Sequence, residues 1–158
     1  MKCLSIRQPW ASLIASGAKR IETRGWAPQR LTAGQFVAIH AGTRWTARER
    51  QLCAEDPLIK RLLDQAAVRD LWRFEQPPLG CVVAIARFAQ YAPVSALAGI
   101  SPQERRLGDY RPGRFGWIFS AVQPVSPIPL RGRLGLFDWQ PQKEVVYLEP
   151  VNQDTTLY

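Results

Sequence analysis

Between Gly17 and Arg24 the chain reads Gly-x-Lys-x-x-Glu-x-Arg, the densest run of chemistry-capable residues in its 158 positions. Glu22 and Arg24 are two apart on a segment that alternates like a strand, so their side chains share a face. A carboxylate and a fork-shaped guanidinium side by side can act on one ligand as acceptor and bidentate donor. Lys19 enters from the preceding turn as a compact cation. Gln8, Trp10, Trp26 and His40 lie close in sequence or at the end of the next apolar run. With aromatic plates near a carboxylate and two cations, such a set can hydrogen-bond a base edge and stack its face. The same spacing also fits a surface strand carrying a Lys–Glu–Arg ion-pair ladder. His40 suits acid–base work near neutral pH, and equally a structural histidine at a strand end. Trp10 falls on an apolar helix face, as a core residue would.

Other chemistries are poorly served. Cys3, Cys53 and Cys81 are odd in number and far apart, which fits free buried thiols better than a disulfide framework. His40 is the single histidine and no Cys-x-x-Cys occurs, so no metal is expected. No cofactor motif is present. No run approaches the ~18 apolar residues that span a membrane, and no apolar stretch follows Lys2 and Arg7 as a secretory signal requires. A cytoplasmic protein is the expectation.

The charge is uneven. The chain carries +8 overall, and residues 1–50 alone hold nine Lys or Arg against two acids. A surplus concentrated in one third of a chain is what a polyanion-facing surface looks like, although an Arg-rich composition could leave the same charge merely solvated. Arg44, Arg48, Arg105, Arg106 and Arg111 are the candidate nucleic-acid contacts.

The elements that must position these residues follow from periodicity and breakers. Residues 2–6 form a strand. Pro9 opens a two-turn helix over residues 9–16, with Trp10, Leu13 and Ile14 at helical spacing and Gly17 as its left-handed C-cap. Residues 20–24 and 35–41 are strands. Residues 45–72 are helical, split where Asp56 caps and Pro57 begins a second helix. Its apolar stripe includes Leu58, Ile59, Leu62, Leu63, Ala66 and Val68. Residues 81–91 form a long buried strand. Residues 95–114 read as a basic loop, long enough to be functional or mobile. Residues 115–122 and 125–130 look like two paired strands, the second demoted to an edge by Pro127 and Pro129. Residues 132–139 return to the sheet. Together these give an α+β fold, a small β-barrel with flanking helices and a helical insertion. It occupies residues 1–140, with 141–158 as an extended tail.

The strings LSIRQPWASLI (residues 4–14) and GAKRIETR (17–24), with Trp26, resemble the opening of ASCH domains, relatives of the PUA domains of RNA-modifying enzymes. The likeness continues at IHA (39–41), LGCVV (79–83), FGW (115–117) and PIPLRGRLGL (127–136). It implies a PUA-like barrel whose cleft is lined by Lys19, Glu22 and Arg24, and RNA or a nucleoside-like small molecule as partner. Some bacterial members are amidohydrolases that deacetylate N4-acetylcytidine using a lysine, a threonine and a distant glutamate. Lys19 matches that lysine, but Glu22 occupies the threonine's position, and alternation turns Thr23 to the other face. Glu104 is the candidate for the distant glutamate only through its loop. Three functions follow: an RNA- or nucleotide-binding module, a small hydrolase (nucleoside amidohydrolase or ribonuclease type) using Lys19 and Glu22, or a coactivator-like protein-interaction domain.

Overall fold

The computed structural model describes residues 1–65, 72 and 76–149. Ala66 and Val68 of the expected stripe, and the tail beyond Glu149, lie outside the described residues. The fold is α+β, a six-stranded mixed sheet curled into a half-barrel with flanking helices. Its strands are β1 (Lys2–Ile6), β2 (Ile21–Arg24), β3 (Phe36–Ala41), β4 (Cys81–Pro93), β5 (Phe115–Pro129) and β6 (Leu136–Asp138). They run in the order β2-β5-β4-β3-β1-β6. Among the described residues only β1 and β3 pair in parallel. Parallel neighbours need a crossover, and the intervening segment supplies it as helix α1 (Trp10–Ala15) followed by β2.

Helix α1 is apolar on nearly every side, so it must be covered on nearly every side. Residues 11–15 are all buried. Ile14 packs into the core against the sheet with Ile6, Val83 and Trp117, while Leu13 meets Leu58, Ile59, Leu62 and Leu107. The helix stops at Ser16 because Gly17 takes a positive φ of 78°, a conformation that side chains resist. Lys19 N–H then returns to Leu13 O at 3.0 Å, which fixes where β2 begins.

The insertion consists of α2 (Ala47–Glu55) and α3 (Pro57–Asp64). Asp56 caps α3, accepting from Leu58 N and Ile59 N, with Pro57 next to it, as the sequence implies. Leu58, Ile59 and Leu62 are buried, and each contributes about 1.5–3 kcal/mol of burial. In α2 only Glu49 is buried. Its start is fixed by the Glu49 carboxylate, which accepts from the Thr46 hydroxyl and, at 2.8 Å, from the Thr46 backbone N–H.

Two expectations are corrected. Residues 115–130 do not fold back as two paired strands. They form one 15-residue strand, β5, that runs antiparallel along β4. Leu130 N–H reaches Gly80 O at 2.9 Å, so Pro129 faces away from β4, where no donor is needed, and Pro127 sits where the register shifts between the pairs Val82–Ile128 and Ala84–Pro124, an irregularity that accommodates proline. The chain after residue 140 covers part of that open side, with Ser126 N–H on Val146 O at 2.8 Å and Leu148 N–H on Pro124 O at 3.0 Å.

The second correction concerns residues 95–114, which are not a plain loop. They include a 3₁₀ turn, Val94–Ala96, and helix α4 (Pro102–Arg106) capped by the Ser101 hydroxyl on Glu104 N.

Candidate functional site

Strand β2 is an edge of the sheet, and an unpaired edge is a row of open backbone groups. Here ionic side chains close it. The Glu104 carboxylate accepts Arg20 N–H and Ile21 N–H, each at 3.0 Å. Lys19 Nζ donates to Ile21 O, and Arg114 donates to Thr23 O at 3.1 Å. Asp109 N–H bonds the Thr23 hydroxyl at 2.9 Å. The basic segment is thereby folded over β2, and a cleft of about 430 Å3 remains between it and the start of α1.

Lys19 and Glu22 line this cleft, with Arg7, Trp10, Arg106 and Arg114 around them. Lys19 is 1% exposed and Glu22 8%. Glu22 is gripped from two sides, by Arg24 Nε at 2.9 Å and by Lys19 Nζ at 3.9 Å. Burial lowers the Lys19 pKa from the ordinary lysine value, while the charges of Glu22 and Glu104 oppose the shift. The site is therefore a buried carboxylate and a desolvated amine in a recess bordered by guanidinium groups.

The other expected members are placed elsewhere. Arg24 spends its second contact on Ser5 O at 2.7 Å and stays off the cleft wall. Gln8 is fully buried and satisfied within the fold, bonding Ser12 Oγ at 2.8 Å, Ser12 N at 3.0 Å and Pro78 O at 2.9 Å. His40 is also inside, with Nδ1 against Ser5 Oγ at 3.0 Å and Nε2 against Leu130 O at 2.8 Å. Both rings of bonds leave no free nitrogen for a ligand, and burial pushes its pKa down. Trp26 is 38% exposed and packs edge-on against Trp117, with ring centroids 4.7 Å apart. Trp10, expected in the core, is only half-buried and borders the cleft. Thr23 borders it too, because the segment around Gly108 wraps the edge that simple alternation treats as open.

Among the expected nucleic-acid contacts, Arg44 and Arg48 line a neighbouring groove of about 650 Å3 beside α2. Arg106 is held by Asp56 at 3.0 Å and Arg111 by Asp109 at 2.5 Å. Arg105 lies over the Tyr110 ring, 5.8 Å from its centroid. The smaller cleft alone holds a buried lysine beside a buried carboxylate, Lys19 and Glu22, so it is the better candidate for chemistry. Arg7 has no role assigned from the sequence, although it adjoins the recognisable Gln-Pro-Trp step, and Arg114 has only a general one, as the end of a basic loop that could meet phosphate.

Among the described residues no group of three His, Cys, Asp or Glu could hold a metal ion, and no helix is long and apolar enough to cross a membrane.

A family model described as the ASCH domain matches residues 4–110. The crystal structure of ASCH from Zymomonas mobilis superposes with a TM-score of 0.50 at 17% identity, covering 89% of this chain and 87% of that one. A tyrosine-to-phenylalanine mutant of that Zymomonas mobilis protein gives 0.48 at 20% identity, covering 89% and 90%. None of the curated proteins matches the sequence.

Proposed function

Because the chain belongs to the ASCH domain family, we propose that its cleft holds one nucleoside unit, presented by RNA or by a nucleoside-like small molecule, in a cytoplasmic setting. The observation that carries this reading is the Glu22 carboxylate, recessed in the cleft and fixed in orientation between Arg24 and Lys19. A carboxylate accepts hydrogen bonds and cannot donate them, so it favours the amino and imino groups of a base edge. Trp10 offers an aromatic face at the cleft wall, which suits base stacking. Arg7 is exposed there without an acidic partner among the described residues and supplies a counter-charge for phosphate.

The test is equilibrium binding of nucleosides and short single-stranded RNA to wild type and Lys19→Ala. Removing the ammonium frees Glu22 on one side, so affinity should fall at least about tenfold if the pair orients the ligand. Unchanged affinity in Lys19→Ala would reject the cleft as the binding site.

The lowered pKa of buried Lys19 favours a second reading, a nucleoside amidohydrolase. A neutral amine can act as general base. Lys19 would take a proton from water as its oxygen attacks the acyl carbon. The C–N bond then breaks, and the proton passes to the departing amine. Applied to N4-acetylcytidine this yields cytidine and acetate. Chromatographic detection of both products, abolished in Lys19→Met, supports catalysis, and intact substrate after prolonged incubation excludes it for this amide.

A further inference from the structure

The cleft does not end at Arg7 and Trp10. The same two residues also line the groove of about 650 Å3 beside α2, so the two hollows adjoin across a shared wall. Each is of the size that accommodates a small-molecule unit, roughly 300–1,000 Å3. Resting on the nucleotide reading of the cleft, we propose that the groove is a second nucleotide subsite and that the ligand is a single RNA strand. That strand runs from the cleft, past Trp10 and Arg7, to Arg48.

Charge bookkeeping around the groove supports an anionic occupant. Its carboxylates already have partners. Glu49 is tied to Thr46 and lies 3.5 Å from Arg44; its pKa is held at about 2, chiefly by the Thr46 hydrogen bonds. Asp56 caps α3 and pairs with Arg106. Glu55 accepts from Gln51 at 3.1 Å. Arg7 and Arg48, by contrast, have no acidic partner among the described residues, and both are exposed. Set against the one charge that the neutral Gln51 leaves uncompensated, that of Glu55, the groove offers an incoming molecule two guanidinium groups. A free nucleoside carries no phosphate and would leave both arginines idle, whereas successive phosphates of a strand would engage them.

The architecture agrees. In α2 only Glu49 is buried, and the helix meets the core through Leu52 and Cys53 alone, which leaves Arg48, Gln51 and Glu55 to the groove. Its role in the fold is then as a wall. At the junction of the two hollows stands half-buried Trp10, and an indole face beside a basic track is the common device for holding single strands.

The test is calorimetric titration with nucleoside 5′-monophosphates and with tetraribonucleotides of each base. The ratio of tetramer to monomer affinity is the quantity read. Wild type should show a ratio of at least about tenfold, the scale of one additional stacked and charge-paired nucleotide. Arg48→Gln should bring the ratio toward one, while Arg133→Gln, at an exposed arginine that lines neither hollow and lies over Phe137, should leave it at the wild-type value. Monomer binding with a ratio near one in wild type overturns the second subsite and leaves the cleft reading intact. A ratio that survives Arg48→Gln also overturns it, because the extra nucleotides then bind elsewhere. Failure of monomer and tetramer alike to bind overturns both readings.

Discussion

Glu104 and Ile21 are 83 residues apart in sequence, yet the Glu104 carboxylate accepts the Ile21 backbone N–H at 3.0 Å. Its other oxygen takes Arg20 N–H at the same distance. This one side chain does what a neighbouring strand would do for β2, and it anchors the segment that carries Arg106, Asp109 and Arg114 over the cleft. The site is thus assembled by an edge being closed, not by a strand pointing its residues at solvent.

Glu104→Ala should destabilise the protein by about 2–3 kcal/mol, since two hydrogen bonds to a charged acceptor are lost at once. Glu104→Gln keeps one acceptor oxygen and should cost less, about 1 kcal/mol. Urea unfolding followed by tryptophan fluorescence measures both. Equal loss in the two variants would show that the charge, and not the paired geometry, holds the edge.

Stability should fall between about pH 9 and pH 11. Burial pushes the Cys3 and Cys53 thiols up to about 12 and Cys81 to about 11, while unfolded thiols titrate near 8.5. Above that value the unfolded chain releases protons that the folded chain retains, so rising pH favours unfolding. Lys19 acts with the opposite sign. Its lowered pKa means that, between that value and about 10.4, the unfolded chain binds more protons than the folded one. Above about 10.4 the amine is neutral in both states and the thiols alone act; below it Lys19→Met should steepen the decline. Denaturant midpoints measured across this range, under reducing conditions, decide it; midpoints that rise with pH in wild type would contradict the assignment.

RNA binding should depend on salt, and the arginines should not contribute equally. Each phosphate contact on a single strand adds about −0.7 to the log–log slope. Arg48→Gln should remove about one such contact. Arg111→Gln should change the slope little, because Asp109 already holds that guanidinium at 2.5 Å. Affinity measured at several salt concentrations separates the two. An Arg111 effect as large as that of Arg48 would mean the outer face of the basic segment also meets the strand.

Much of the scaffold was legible in local sequence. Gly17, Pro57 and Asp56 announce helix ends through backbone rules that act within a few residues, and the spacing of Lys19 and Glu22 carries them to one place. Gln8 and His40 misled because polarity beside a motif looks the same whether the group serves a ligand or a buried hydrogen bond. Arg114 was legible only as the end of a basic loop. Its place at the cleft depends on a long-range fold of residues 97–114 that no periodicity encodes. The prolines of β5 misled because sequence cannot say which side of a strand lacks a partner.

The central claim is that Glu22 reads the edge of a base. The direct measurement is the affinity of wild type and Glu22→Gln for adenosine, cytidine, guanosine and uridine. Wild type should prefer the three bases with exocyclic amino groups over uridine, whose one base donor, N3–H, is flanked by two carbonyl oxygens that repel a carboxylate. Glu22→Gln, whose amide can donate as well as accept, should bind the four with nearly equal affinity. A preference profile unchanged by Glu22→Gln, or no preference in wild type, would contradict it.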